Sequence, residues 1–137
     1  MGRGLSMLMQ GLDGKYLLGL APMDATHHEF VALVNQLDAA KGEAFKGLFT
    51  QLQQHTHAHF AQEESWMHSS NFPALTEHRA DHQRVLGDMN RFARQVERGL
   101  LPMARAYVRE LPNWFLLHAS TMDSALAAHL KTGGYPL

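Results

Sequence analysis

The sequence contains no cysteine. That absence removes disulfides, thiolate metal sites and thiol nucleophiles together. Charge of one sign is also missing: 12 Lys and Arg stand against 13 Asp and Glu, for a formal −1 at pH 7. A chain so balanced has no field that would draw nucleic acid or an anionic membrane. Long apolar runs are missing too. In MGRGLSMLMQGLDGKYLLGLAP, Gly11, Asp13, Gly14 and Lys15 break up the apolar residues, so no signal-type stretch forms. Nothing elsewhere reaches transmembrane length, and the expected location is the cytoplasm. Strand-type alternation and internal repeats are likewise absent.

What remains is helical. The 137 residues, 45% of them apolar, suit one domain spanning 1–137 with a proper core. Residues 1–23 read as a Gly-rich arm. Asp24 is placed to cap a first helix, in which Phe30, Leu33, Val34 and Leu37 follow helical spacing up to Lys41-Gly42. A second helix begins near Glu43, carries Phe45, Leu48, Phe49 and Leu52, and ends at Ser69-Ser70-Asn71. Pro73 suits the first turn of a third, which runs to about Arg98 before Gly99. The chain restarts at Pro102. Pro112 falls inside a helical pattern and predicts a kink or fresh start there, because it lacks an N–H and crowds the carbonyl one turn back. The fourth helix continues to about Lys131, and GGYPL is a loose end. Short connections between four such helices favour an all-α, up-down-up-down four-helix bundle over 24–131.

Histidine is the residue in excess, with ten spread along the chain. His59 and Glu63 are four apart and share a helical face, as do His78 and His82. His27 lies on the first helix and His118 on the fourth. Asp123 is five beyond His118, about 140° around a regular helix. To reach the same face it must lean back, or the helix must be distorted locally. His57 and Glu64 form a rival pair seven apart, also on one face.

The neighbours of these groups are apolar. Val85, Leu86 and Met89 follow His82, Trp114 and Phe115 sit one turn before His118, Phe60 follows His59, and Met67 lies one turn past Glu63. Imidazoles and carboxylates buried without partners would be costly, and a metal centre removes the conflict by turning lone pairs into bonds. Nitrogen-rich ligation with some oxygen suits iron, zinc, copper or nickel. Five histidines and two carboxylates exceed the needs of one ion. Two ions sharing both carboxylates and one solvent oxygen fit better: the ion with three histidines is then full, and the ion with two keeps an open position. Six-coordinate preference points to iron over zinc.

The segments MDATHHEF (23–30), HAHFAQEESWM (57–67), HRADH (78–82) and WFLLHASTMD (114–123) together resemble the hemerythrin family over nearly the whole chain. The resemblance implies two iron ions with an oxo or hydroxo bridge. His78, His82 and His118 would hold the saturated iron, His27 and His59 the open one, and Glu63 and Asp123 would bridge. It favours His59 and Glu63 as the inward pair, with His57 and Glu64 solvated. Phe60, Trp114 and Phe115 would wall an O2 pocket. His55 stands where the family more often has an aromatic. It is either a partly buried histidine bonding a backbone carbonyl or a partner that orients a ligand or relays protons. His28 and His68 are expected at the surface. His129 lies three turns beyond His118, about 16 Å along the axis, too far to bind the same centre. Tyr16 stands loosely where relatives place aromatics.

The function so implied is reversible O2 binding as hydroperoxide, for storage, delivery or sensing. The alternative is a di-iron enzyme that reduces peroxide or nitric oxide, or handles iron. The implied partner is O2 itself, with no nucleic acid and no membrane; a separate electron donor or client protein would serve a sensor.

Overall fold

A computed structural model describes residues 17–135. Four long rods make up this part of the chain. Helix α1 covers Ala21–Ala39, α2 Gly42–Ser69, α3 Leu75–Glu97 and α4 Pro102–His118. A π-helical segment, Ala119–Asp123, joins α4 to α5, Ser124–Gly133, so that these three form the fourth rod. No strand occurs among the described residues, and no helix among them is long and apolar enough to cross a membrane. The rods form an all-α four-helix bundle. Tyr16 and most of the arm lie outside the described residues.

Apolar residues three and four apart give each helix one inward stripe. In α1 the buried positions are Met23, His27, Phe30, Val31, Val34 and Leu37. The stripes meet in two apolar bodies. The larger joins Phe30, Phe49, Leu52, Val85, Met89 and Phe115 with their neighbours. The smaller joins Met23, Met67, Phe72, Leu126, Ala127 and Leu130. Between them, at one level of the bundle, the stripes carry buried His, Glu and Asp residues.

Helix ends are closed by local chemistry. Asn71, Gly99 and Gly134 all adopt positive φ (54°, 78° and 66°). Each is followed by a residue whose N–H reaches back five positions: Phe72 to Met67, Leu100 to Gln95 and Tyr135 to Leu130. This is the Schellman closure, which supplies partners for the orphan carbonyls of a helix C-terminus.

Three sequence expectations need correction. Asp24 does not cap α1. The helix starts at Ala21, and Asp24 lies in its first turn, where its carboxylate accepts from the N–H groups of Leu18 (2.7 Å) and Gly19 (3.1 Å). It therefore ties down the incoming chain. Helix α3 starts at Leu75, two residues past Pro73, because Phe72–Ala74 form the turn that follows the Asn71 closure. Of the two outcomes expected at Pro112, the fresh start does not occur, since α4 runs through it from Pro102 to His118.

The irregularity comes seven residues later, where the Ser124 N–H bonds the carbonyl of Ala119, five positions back. The hydroxyls of Thr121 (2.6 Å) and Ser120 (3.3 Å) both donate to the Leu117 carbonyl. Ser and Thr can serve a carbonyl that a widened turn no longer bonds in the regular way.

Candidate metal centre

Seven side chains from all four rods converge at the level between the two apolar bodies. They are His27 from α1, His59 and Glu63 from α2, His78 and His82 from α3, His118 from α4 and Asp123 from the π segment. All seven are buried. The π segment settles how the fourth rod supplies two of them. A turn with an i→i+5 bond holds one residue more than an α-turn, so the fifth residue takes the place the fourth would have. Asp123 Oδ1 thus comes within 3.0 Å of His118 Nε2. Of the two possibilities left by the spacing, local distortion of the helix is the one observed.

The donors divide into two groups: His78, His82 and His118 with Glu63 and Asp123, and His27 and His59 with the same two carboxylates. The carboxylate oxygens divide in the same way. Glu63 Oε1 lies 3.3 Å from His78 Nε2 and 3.1 Å from His82 Nε2. Its Oε2 lies 2.7 Å from His59 Nε2 and 3.8 Å from His27 Nε2. Asp123 Oδ1 is 3.0 Å from both His78 and His118, and Oδ2 is 3.0 Å from His27. Each carboxylate presents one oxygen to the three-histidine side and the other to the two-histidine side.

These short distances are mostly not hydrogen bonds. Nε2 of His78, His82 and His118, Oε1 of Glu63 and both oxygens of Asp123 are shielded from solvent and make no hydrogen bond of acceptable geometry. An unsatisfied buried polar atom costs about 1–3 kcal/mol. Summed over the atoms just named, that cost rivals the about 5–15 kcal/mol that stabilises a whole domain. The arrangement makes physical sense when the lone pairs aim at a shared cation. Two ligand atoms about 2.1 Å from one ion and at right angles lie about 3.0 Å apart, and most of the spacings above match that edge. The donor set and its geometry therefore fit metal.

Hydrogen bonds fix the tautomers of two histidines on the three-histidine side, His118 and His82. The Nδ1 of His118 lies 2.7 Å from Asp81 Oδ2, which also accepts from Trp114 Nε1 at 2.9 Å. The Nδ1 of His82 lies 3.1 Å from Glu64 Oε2. A ring whose Nδ1–H donates to a carboxylate keeps its Nε2 lone pair free to bind a metal. Glu64 is therefore not solvated as expected: its side chain is 27% exposed and turned toward His82. Its would-be partner His57 is exposed, with Nε2 3.3 Å from Asn90 Oδ1. Asp81 was not anticipated from the sequence. The available signal was its position inside HRADH, together with a Trp one turn before His118 that could share an acceptor with it.

Protons compete for the same atoms. Burial alone would push His27 down, yet the adjacent carboxylates of Asp123 and Glu63 carry it up to about 10. In the same way burial opposes, and Asp123 and Asp81 reverse, a shift that brings His118 to about 9. His78 is also raised, against its burial, by Asp123 and Glu63. Burial pushes Glu63 up, but the charge of His59 and the close approach of the surrounding imidazoles hold it well below the usual carboxylate range. Asp123 is likewise lowered, against burial and the Glu63 charge, by the close imidazoles of His118, His27 and His78.

Aromatic rings seal the cluster. Phe60 lies flat on His82 at 3.8 Å with a 4° interplanar angle, and Phe115 meets His27 edge-on at 5.1 Å. Trp114 stacks on His118 at 4.8 Å, on the three-histidine side. Phe30 backs Phe115 at 4.7 Å. His55 makes no hydrogen bond to any of the seven donors or to a backbone carbonyl; its Nε2 faces Glu29 Oε1 at 3.1 Å. Burial pushes its pKa down. His28 and His68 are exposed, and His129 Nε2 lies 2.9 Å from the Ser70 carbonyl, away from the cluster.

Comparison with known proteins agrees with this geometry. Residues 18–130 match the family model described as the hemerythrin HHE cation binding domain. A bacteriohemerythrin of Ralstonia nicotianae is 35% identical over 117 residues, 85% of each chain. The fold is similar to that of a solved hemerythrin point mutant, with a TM-score of 0.83 and 19% identity over 90% of this chain and 98% of that one. A second solved point mutant gives the same TM-score at 20% identity and the same coverage. A family match over most of the chain, a relative above 30% identity and a buried His/Glu/Asp cluster suited to metal lead to one conclusion: the chain belongs to the hemerythrin family.

Proposed function

We propose that the seven clustered side chains hold two iron ions and that the protein binds O2 reversibly in the cytoplasm, for storage, delivery or sensing. The observation that carries this reading is the unequal division of imidazoles, three against two, around carboxylates that face both sides. His78, His82 and His118 would complete one ion with Glu63 and Asp123. His27 and His59 would leave the other one ligand short. When bound, such a pair supplies two electrons and a free coordination position for a diatomic gas.

The chain's own residues do the rest. Glu64 and Asp81 hold His82 and His118 in one tautomer. Phe115 and Phe30 place apolar surface beside His27, which admits a small uncharged molecule and keeps water from the site. Phe60 packs against the rings of both His59 and His82. His55 is turned to Glu29 rather than to the cluster. The Nε2 of His55 is taken up by Glu29 and is not offered to the cluster, which favours a carrier over a peroxide-consuming enzyme.

The test loads the metal-free protein with ferrous iron under nitrogen, counts iron, then alternates air and degassing. A carrier binds two irons per chain and gains a visible absorption band that appears with air and vanishes on degassing through repeated cycles. One irreversible conversion to a ferric spectrum would remove the carrier reading and leave an enzyme or an autoxidising protein.

A further inference from the structure

Among the described residues, three recesses that reach the cluster differ in chemistry. One of about 280 Å³ touches His78 and is walled by Phe72, Ala74, Met122 and Ala125, with Glu77 beside them. Another of about 230 Å³ touches His118, but Arg84 lines it, and its carboxylate, Asp81, already accepts from Arg84, Trp114 and His118. A third, about 200 Å³, opens over His59 and is lined by Thr26 and Glu29 of α1 and by His55, Ala58 and Gln62 of α2. His59 is also the most exposed of the seven donors, at 6% against at most 2% for the others.

At this third recess a carboxylate and an imidazole already face each other. Glu29 Oε1 and His55 Nε2 are 3.1 Å apart, with the Glu29 side chain 65% exposed and that of His55 17% exposed. The spacing equals that between neighbouring donors in the cluster below. The His55 ring lies 6.1 Å from the His59 ring, centroid to centroid. Nitrogen with oxygen suits the same transition-metal dications as the cluster does. An accessible carboxylate at the mouth of a cleft raises the local cation concentration.

Resting on the reading of the cluster as a metal centre, we propose that Glu29 and His55 form a staging site for a divalent transition-metal cation on its way into the bundle. The ion lands on the exposed Glu29 carboxylate and takes the His55 nitrogen as a second ligand. It then passes to His59, whose ring borders the same recess, and so reaches Glu63 Oε2 and His27. Uptake breaks the Glu29–His55 hydrogen bond, and the His55 Nε2 proton passes to solvent so that the lone pair can meet the ion; each later transfer exchanges one donor for another, and no electron moves. The recess at His78 is too apolar to strip water from a dication, and the one at His118 is guarded by a guanidinium.

The test mixes the metal-free full chain with cobalt(II) at low ionic strength in a stopped-flow instrument and follows the visible bands of the bound ion. Glu29→Gln, His55→Phe and, as a control at the His78 recess, Glu77→Gln are compared with wild type. Glu29 and Glu77 are exposed, so their substitution leaves the fold intact, and circular dichroism checks the His55 variant. The first two variants reach the wild-type cobalt content but about tenfold more slowly, and the Glu29→Gln deficit shrinks in high salt. Glu77→Gln loads at the wild-type rate. Glu29→Gln loading within about twofold of wild type, or slowing only in Glu77→Gln, overturns the staging site while leaving the metal centre intact. Failure of wild type to bind cobalt overturns both readings.

Discussion

Replacement of Asp81 by Asn tests how far the three-histidine group depends on a residue that is not one of the seven donors. The Asp81 carboxylate accepts two hydrogen bonds through one oxygen, from His118 Nδ1 at 2.7 Å and from Trp114 Nε1 at 2.9 Å. Both are charge-assisted, and His118 with Arg84 holds the carboxyl well below its usual range. Bonds to a charged acceptor contribute about 1.5–3 kcal/mol and neutral ones about 0.5–1.5, so neutralising it weakens each by about 1 kcal/mol. The partial exposure of Asp81 (18%) reduces that figure somewhat. The amide adds a second problem: if its NH2 faces His118, the ring must accept at Nδ1 and carry its proton on Nε2, the atom aimed at Asp123. Loss of such an outer partner typically costs about 10- to 100-fold in metal affinity. Titration with cobalt(II) in the presence of a competing chelator should therefore show one ion weakened at least about tenfold and the other unchanged. The fold, followed by circular dichroism, should be retained. Wild-type affinity for both ions in the variant would refute the reasoning, because it would mean that the His118 tautomer does not matter to the site.

Two further outcomes follow from the same geometry. His27 and His118 are raised from 6.5 to about 10 and about 9. Their contribution to the metal-free fold is therefore complete below pH 6.5 and lost as pH climbs through those values. Thermal melts of metal-free protein should fall between pH 6.5 and 10, whereas melts of metal-loaded protein should fall on acidification, when protons displace the ions. A metal-free melting point that rises over that range contradicts the assignment. Deleting Ser120, which is exposed, should turn the π segment into regular helix and place His118 and Asp123 one α-turn apart. The shortened chain should retain its metal and melt within about 4 °C of wild type; metal loss would show that the widened turn is needed for more than register.

The sequence made legible whatever is decided within one helix. Spacings of four put His59 with Glu63, and His78 with His82, on single faces, and the apolar residues beside them marked those faces as inward. Helix C-termini at Asn71 and Gly99 were visible because positive φ selects those residues. What failed depended on contacts between distant residues. Glu64 finds His82 across 18 positions, Asp81 finds His118 across 37, and His55 finds Glu29 across 26. Periodicity holds no information about these pairs. The fresh start expected at Pro112 failed for another reason. Loss of one helical hydrogen bond is a local cost of about 3 kcal/mol, and the buried neighbours Leu111, Val108 and Phe115 outweigh it. Asp24 misled because a carboxylate in the first turn and a capping carboxylate look alike in sequence and differ only in which N–H groups they reach.

The cluster draws on every rod, and it lies partway along the bundle rather than at an end. Metal held there would act as a rivet through four staves, so that the loops joining them would matter less for holding the barrel together. A backbone cut in the short link between α1 and α2, near Lys41, would then leave two fragments that part readily when empty and stay clasped when loaded. Splitting the chain there would turn metal uptake into an assembly signal.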